Sequence, residues 1–329
     1  MRTSAWQLSI FIYLPGLALC AVLAAMAMAS EYWSGAPVML VALVLGMIAR
    51  PGLIAPVTQK GTQMAAKRLL RLGIALLGAR ITWQDILGLG LTPIVLVCIA
   101  VPGTVLIGWG LAKILKQPKT FGLLTGGAVA ICGASAALAF AAVLPAGKRH
   151  ERDTLFTVLA VSALSTVAMI VYPALLRALG FDDPLIGILL GATIHDVAQV
   201  VGAGYSVSPQ VGDIATYVKL LRVSLLPIAI IATALIYRPP GGTAAVKIPW
   251  FAVAFVLIMI GNSLGMIPAP AQSLMIVASQ GLLVTAIVAL GGKTSLREMS
   301  SLGAGGIILV VGETLALLLA AIVFIRFVS

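Results

Sequence analysis

Charged residues are scarce in this sequence. Only 9% of its 329 residues are Asp, Glu, Lys or Arg, and only 10 of them are acidic. A soluble domain carries about 25% charged residues, so this chain has too few charges to cover a surface that faces water. The scarcity excludes an ordinary soluble protein and predicts that lipid surrounds much of the chain.

Cysteine and histidine are also rare, and their spacing excludes two kinds of site. The three cysteines, Cys20, Cys98 and Cys132, lie in apolar stretches without the spacing of metal ligands, and an odd number argues against a disulfide scaffold. The two histidines, His150 and His195, are too far apart to indicate a metal cluster. The sequence therefore predicts no bound metal and no cofactor.

Catalytic and nucleotide-binding motifs are missing as well. The chain has no Walker motif, no glycine-rich nucleotide loop after a strand, no nucleophile elbow and no zincin motif. These absences predict that the protein is neither an enzyme nor driven by ATP. The net charge of +11 fits basic loops beside anionic lipid better than binding to nucleic acid.

Long apolar runs are what the sequence has instead. The run Ile307–Phe324, for example, contains Glu313 as its only charge. Lipid leaves only helix bundles and closed barrels, and the alternating strands of a barrel are not seen. The pattern predicts an all-α polytopic membrane protein of ten or eleven transmembrane helices. The predicted spans are 8–29, 36–49, 64–80, 91–113, 121–145, 154–177, 184–204, 214–236, 249–267, 271–292 and 304–327.

Basic residues in the loops predict the orientation. Lysines and arginines concentrate in the second, fourth, eighth and tenth loops, which fall on one side of the membrane. The positive-inside rule then predicts a cytoplasmic amino terminus and an external carboxyl terminus. The basic segment Lys148–Asp153 disagrees, because it falls on the external side.

A short internal similarity predicts the domain organisation. Lys67–Leu72 and Val218–Val223 share a basic-Leu-Leu-Arg-aliphatic core, about 150 residues apart. Two units of five helices, 36–180 and 181–329, would follow an additional amino-terminal helix within 1–35. An odd number of crossings inverts the second unit, as in many secondary transporters. The sequence thus predicts a single membrane domain with a five-plus-five inverted repeat.

The fifth span is rich in small residues from Gly126 to Ala136. Glycines there favour a discontinuous helix, whose following half would present N–H groups to an anion; Cys132, Gly133 and Ser135 are the candidate ligands. Close helix packing through small residues is the alternative interpretation.

The matching span of the second unit is the tenth. It places Ser279 and Gln280 beside Gly281, and we predict a second interruption there. Paired interruptions in matching spans indicate a transport site where the two spans cross.

Ionisable residues inside the seventh and last spans are further candidates. His195 and Gln199 are four residues apart, so a helix would place them on one face, with Asp196 about 100° away. A histidine can bind an oxyanion or carry a proton, or can form a hydrogen bond between helices. Glu313 is predicted to pair with a cation or to carry a proton.

Two pairs of cations complete the candidates. Lys219 and Arg222 lie three residues apart in the eighth span, and Arg68 and Arg71 mirror them in the third. Either pair could neutralise an anion or extend to the lipid headgroups. We predict the headgroup role for Arg68 and substrate binding for Arg222.

These motifs resemble one known family. Ile131–Ser135, Ile194–Val200 and Lys67–Gly78 are similar to the YeiH-type bacterial inner-membrane proteins, a family named for sulfate export. The resemblance runs from about residue 36 to the carboxyl end. It implies a location in the cell inner membrane, a fold related to cation–proton antiporters and anion transporters with two broken helices crossing, and export of sulfate or a related sulfur oxyanion.

The sequence thus predicts a secondary transporter that exports a small anion. His195, Gln199 and Arg222 would line the cavity, and His195, Asp196 or Glu313 would carry a coupling proton or sodium ion. One alternative is a sodium–proton antiporter with a carboxylate as the ion site. The other is a membrane ligand sensor that transports nothing. Lipid is a partner in each case, and a homodimer is compatible with the sequence.

Overall fold

The fold consists of helices in every part of the chain that the structure describes. The computed structural model describes residues 5–34, 37–145, 150–237, 250–293 and 304–328, and none of these forms a strand. The predicted all-α class is confirmed. In chain order the helices are α1 Ala5–Ser34, α2 Val38–Ile48, α3 Arg50–Leu53, α4 Gln59–Met64, a π-helical turn Ala65–Leu69, α5 Leu70–Leu77, α6 Trp83–Gly88, α7 Thr92–Ile114, α8 Lys119–Ala130, α9 Ala134–Ala141, α10 His150–Ala178, α11 Asp183–Thr193, α12 Val197–Val207, α13 Pro209–Ser224, α14 Leu226–Tyr237, α15 Trp250–Ser263, α16 Ala269–Lys293 and α17 Ala304–Val328.

Several of these helices can cross a membrane. Among the described residues, six helical stretches are long and apolar enough by length and composition, and four shorter apolar helices accompany them. Large apolar side chains on these helices are exposed, as a lipid environment requires. The six stretches are Ile12–Ser30, Thr92–Ile114, His150–Ala178, Pro209–Tyr237, Ala269–Lys293 and Gly305–Val328.

The helices form two compact units that alternate along the chain. Unit 1 contains Met1–Gly88, Val201–Ser208 and Pro249–Thr294, and unit 2 contains Leu89–Val200, Pro209–Ile248 and Ser295–Ser329. This division groups helices by their contacts in space, whereas 36–180 and 181–329 are predicted repeats along the sequence, so the division does not test them. The inverted repeat stays a prediction.

The orientation in the membrane also stays a prediction. Several of the loop residues that favour a cytoplasmic amino terminus, and part of the segment that disagrees, lie outside the described residues. They are Lys148, Arg149, Arg238, Lys247 and Arg297.

Unit 1 packs through small residues. A Cβ atom added to Gly46 of α2 would collide with the carbonyl oxygen of Val288 on α16, and one added to Gly78 after α5 would collide with the carbonyl oxygen of Phe255 on α15. Backbones this close are typical of membrane helices, where small residues replace the hydrophobic driving force. The small residues of unit 1 therefore hold α2, α5, α15 and α16 together.

The predicted interruption of the tenth span is wrong. α16 runs without a break from Ala269 to Lys293 and includes Ser279, Gln280 and Gly281. A glycine inside a membrane helix interrupts it only if other groups take over the freed backbone atoms. The second interruption lies in the seventh span instead, between α11 and α12.

In unit 2, another glycine contact holds α7 against α8. A Cβ atom added to Gly108 of α7 would lie 2.5 Å from the carbonyl oxygen of Gly122 on α8 and 2.6 Å from Glu313 Oε1 on α17. Since the first neighbour is backbone, it cannot move without separating the two helices. Gly110, on the same helix, has nothing within 4 Å of the corresponding position.

Gly108→Ala is therefore expected to destabilise the protein, whereas Gly110→Ala is not. Overpacking of this kind costs about 1–3 kcal/mol, while an alanine in open space replaces a poor helix former. Thermal unfolding of the purified protein in detergent measures the difference. Equal unfolding midpoints for the two variants would show that the α7–α8 contact is looser than described.

Candidate functional site

The first helix break separates α8 from α9. α8 ends at Ala130, and Gly133, with φ +61° and ψ −124°, precedes the first residue of α9. This backbone conformation is essentially restricted to glycine, because a Cβ atom would strain it by about 1–3 kcal/mol. The prediction of a discontinuous fifth span is confirmed, and Gly133 is its local cause.

The second break separates α11 from α12. Ile194 is extended, with φ −66° and ψ 138°, and α12 begins at Val197. The backbone N–H of Asp196 donates to Ser165 Oγ of α10 at 3.0 Å, and Asp196 Oδ1 accepts from the Val197 N–H at 2.9 Å. His195 therefore lies in the break, and its four-residue spacing from Gln199 does not place the two on one continuous helix.

The two breaks touch each other inside unit 2. A Cβ atom on Gly133 would lie 3.7 Å from the Cβ, carbonyl carbon and carbonyl oxygen of His195. Lys219 of α13 joins them further, because its ammonium group donates to the carbonyl oxygens of Ile131 at 2.6 Å, Ile194 at 2.8 Å and His195. One side chain thus binds backbone atoms of both interruptions.

Arg222, one turn further along α13, completes this arrangement. Its guanidinium group donates to carbonyl oxygens at the carboxyl ends of both α8 and α11. The contacts are Nε to Ala130 at 2.8 Å, Nη2 to Val129 at 2.7 Å, and Nη1 to Gly191 at 3.2 Å and Ile194 at 2.9 Å.

These two cations stabilise the breaks. The last carbonyl groups of a helix lack partners and carry about half a negative charge together, so a cation beside them is favourable. Lys219 is 0% exposed and Arg222 is 1% exposed, which rules out extension to the headgroups. Arg68 and Arg71, by contrast, are exposed, and the headgroup role of Arg68 stays a prediction. The prediction that Arg222 also binds substrate stays a prediction.

The amino-terminal ends of the two second halves differ. Asp196 accepts from the first N–H of α12. The first turn of α9 has no side-chain cap, because Gly133 precedes it and Ser135 Oγ donates backwards to the carbonyl oxygen of Cys132 at 3.2 Å. Cys132 is buried and Ser135 exposed. The positive end of α9 is therefore open to an anion.

Two polar side chains beside the breaks have unused atoms. His195 Nε2 lies 2.9 Å from Thr314 Oγ1 of α17, and Gln199 Nε2 donates to Thr166 Oγ1 at 3.4 Å. Their remaining atoms, His195 Nδ1 and Gln199 Oε1, are buried and make no hydrogen bond to any described residue. A buried unsatisfied polar atom costs about 1–3 kcal/mol, so each of these atoms calls for a ligand or solvent molecule.

Glu313 lies on α17, next to Thr314. Its Oε1 accepts from Thr125 Oγ1 of α8 at 2.7 Å, and its Oε2 makes no hydrogen bond within the described ranges. The side chain is 0% exposed, and no ion pair joins it to a described cation. Pairing with a cation is not seen, and a role in carrying a proton stays a prediction.

Ser279 and Gln280 belong to unit 1, and both lie on the continuous helix α16. Ser279 Oγ donates to the carbonyl oxygen of Gly73 at 2.6 Å, and Gln280 is exposed. The interruption that made them candidates is absent from α16. Their role as ligands stays a prediction that this helix does not support.

The sequence pattern assigns too few residues to this centre. The spacing of Lys219 from Arg222 makes it a candidate for neutralising an anion, but substrate binding is predicted only for Arg222, and the sequence does not predict that Lys219 binds both helix breaks. The hydroxyl groups that position the site residues give no such signal, because Ser and Thr are common in membrane helices. They are Thr125, Ser165, Thr166 and Thr314.

Comparison with known proteins gives a consistent result. The family model described as "Conserved hypothetical protein 698" matches residues 15–310. A UPF0324 membrane protein of Chlorobaculum tepidum is 47% identical, over 93% of this chain and 87% of its own length. The UPF0324 membrane protein TauZ of Paracoccus denitrificans is 45% identical over 92% of both chains.

A more distant relative carries the name that the sequence motifs indicate. The UPF0324 inner membrane protein YeiH of Salmonella typhimurium is 34% identical, over 89% of this chain and 87% of its own. Matches of this length and identity cover both helix breaks and the helix that caps them. The chain therefore belongs to the family of Conserved hypothetical protein 698, the UPF0324 membrane proteins to which YeiH also belongs.

Proposed function

We propose that this protein is a secondary transporter of a small anion in the cell inner membrane. The supporting observation is the contact between two interrupted helices around two buried cations, Lys219 and Arg222. Interrupted backbone at membrane depth is tolerated only where it is buried in protein or lines a cavity. Known transporters place their substrates at such interruptions.

The charges of this centre favour an anion. Lys219 and Arg222 contribute two positive charges, while the residues of the two breaks contribute one carboxylate, Asp196. The carboxyl ends of α8 and α11 and the amino ends of α9 and α12 contribute about half a charge each and nearly cancel. Among the residues that form or bind the two breaks the surplus is therefore positive, and the uncapped first turn of α9 offers N–H groups to an anion.

The substrate class follows from the resemblance to the YeiH-type proteins. That family is named for sulfate export, and N–H groups with one imidazole suit a tetrahedral oxyanion. We therefore propose sulfate or a related sulfur oxyanion, moved outward and coupled to a proton or sodium gradient. The same proposal places the amino terminus in the cytoplasm.

A sodium–proton antiporter is the second candidate, and it would use Asp196 or Glu313. Each carboxyl group already binds a hydrogen-bond donor, from Val197 and Thr125 respectively. The described residues hold no group of three acidic, histidine or cysteine side chains that could surround an ion. The arrangement of the breaks therefore supports an anion better.

Counterflow in proteoliposomes tests the proposal. Purified protein in vesicles loaded with unlabelled sulfate should accumulate external radiolabelled sulfate, and chloride, hydrogencarbonate and methanesulfonate are tested as competitors. Empty vesicles serve as the control. The counterflow measurement is then repeated with each of the other three anions in place of sulfate. Absence of counterflow for every one of the four anions would contradict anion transport. A proton flux in pyranine-loaded vesicles after a sodium pulse without these anions would favour the antiporter.

A further inference from the structure

We propose that Nδ1 of His195 takes up a proton when the anion binds, so that anion and proton enter the site together. This inference rests on the proposed anion transport and names its coupling atom.

The neighbours of His195 decide which ring nitrogen carries the permanent proton. Thr314 Oγ1 donates its only proton to the carbonyl oxygen of Val310 at 2.7 Å, one turn earlier in α17. We assign the hydroxyl proton to this bond, so the hydroxyl oxygen accepts from the imidazole, which lies 2.9 Å away. With this assignment His195 Nε2 carries a proton, and Nδ1 of the neutral ring is a bare lone pair.

The surroundings of Nδ1 determine how this lone pair would interact with a bound anion. The ring is 0% exposed and lies beside the backbone of Val129, and Nδ1 makes no hydrogen bond of normal geometry to the described part of the chain. His195 also lies against Gly133, which precedes the uncapped first turn of α9. A neutral Nδ1 would repel an oxyanion placed there, whereas a protonated Nδ1 would donate a charge-assisted hydrogen bond to it.

The surrounding charges link the proton to the anion. Two cations of α13 oppose a charge on the imidazole in the empty site, since Lys219 binds the carbonyl oxygen of His195 and Arg222 that of Ile194. An arriving anion offsets both cations and allows the ring to charge. The other titratable groups on packed elements are Cys132 in the first break, Asp196 next to His195, and Glu313 next to Thr314.

The charge balance then fixes the direction of coupling. One proton from the aqueous phase adds to the Nδ1 lone pair as the anion binds, and it returns to water when the anion leaves. By linkage, each ligand raises the affinity of the site for the other by the same factor. Anion and proton move in the same direction, with roughly one proton for each anion. A divalent anion that leaves the cell with one proton carries one net negative charge outward, and a membrane potential that is negative inside favours this movement.

Nitrogen NMR of the ring tests this directly. The protein has two histidines, so His150→Gln leaves His195 as the only imidazole. His150 begins α10 and lies outside the site. In the ¹⁵N-labelled variant, Nδ1 should be unprotonated without anion and protonated after addition of the anion that shows counterflow. An Nδ1 that stays unprotonated in the saturated protein would overturn the inference while leaving anion transport intact.

A transport variant gives an independent test. His195→Gln keeps an N–H group near the position of Nε2 for Thr314 but has nothing in place of Nδ1. Because His195 belongs to the proposed anion site, anion counterflow should slow in this variant. The number of protons moved per anion, measured with pyranine and radiolabel together, should fall at least tenfold. A ratio of protons to anions equal to that of the wild type would overturn the inference. Failure of wild-type counterflow would instead contradict the proposed function.

Discussion

Lys219→Met is expected to destabilise the protein more than any other single substitution named here, and to abolish transport. The change removes three donors from carbonyl oxygens of Ile131, Ile194 and His195, all of which are buried. Each buried acceptor left without a partner costs about 1–3 kcal/mol. The three acceptors together account for a large fraction of the roughly 5–15 kcal/mol typical of a folded domain. Thermal unfolding in detergent and anion counterflow measure the two effects.

The sequence offers a matched control for this variant. Arg68 occupies the position that corresponds to Lys219 in the shared basic-Leu-Leu-Arg motif, but its side chain is exposed. Arg68→Gln should change stability by no more than about 0.5 kcal/mol, as surface substitutions usually do. Similar losses of stability for Arg68→Gln and Lys219→Met would show that Lys219 is not bound to the breaks as described.

Gly133→Ala is expected to abolish transport, whereas Gly281→Ala should preserve it. Gly133 has φ +61° at the first break, where a Cβ atom strains the backbone by about 1–3 kcal/mol. The strain would shift the first turn of α9, on which the proposed anion site depends. Gly281 lies inside the continuous helix α16 with nothing within 4 Å of its Cβ position. Alanine there should stabilise the helix by about 0.5–1 kcal/mol.

Counterflow and thermal unfolding of these two glycine variants distinguish the two spans that the sequence treats as equivalent. A stable Gly133→Ala variant with wild-type counterflow would show that the first break is only a packing feature. Loss of counterflow in Gly281→Ala would show that the tenth span takes part in the transport site.

The helical fold could be predicted because lipid restricts the backbone so strongly. Once apolar length identifies a span, its hydrogen bonds must be internal, and the bounds follow closely. The fourth span is predicted at 91–113 and observed as Thr92–Ile114, and the sixth is predicted at 154–177 and observed as His150–Ala178. The grouping into two alternating units depends on contacts distant in sequence, so apolar length carries no information about it.

The two breaks show where local sequence is informative and where it is not. The first break follows from Gly133, whose conformation few other residues adopt. The second break contains neither glycine nor proline at positions 194–196. It depends on Lys219 and Arg222 of another helix, which take up the carbonyl oxygens that Ile194 and its neighbours release. A cause that lies on a different helix cannot be read from the seventh span.

The tenth span shows the reverse case, a predicted break where the helix is continuous. Ser279 and Gly281 look like an interruption, yet Ser279 Oγ donates to the carbonyl oxygen of Gly73 on α5, and α16 continues. At the two breaks, by contrast, Lys219 and Arg222 bind the backbone carbonyl groups. A glycine in a membrane helix thus predicts a break only when a partner for the freed backbone groups is also identified.

Anomalous diffraction from crystals grown with selenate, the selenium counterpart of sulfate, would locate the anion. We expect a selenium peak beside the first turn of α9, within hydrogen-bonding distance of the Ala134–Ala136 amide groups and of His195 Nδ1. A selenium peak elsewhere, with none beside the first turn of α9 in a protein that shows selenate counterflow, would contradict an anion site at the two helix breaks.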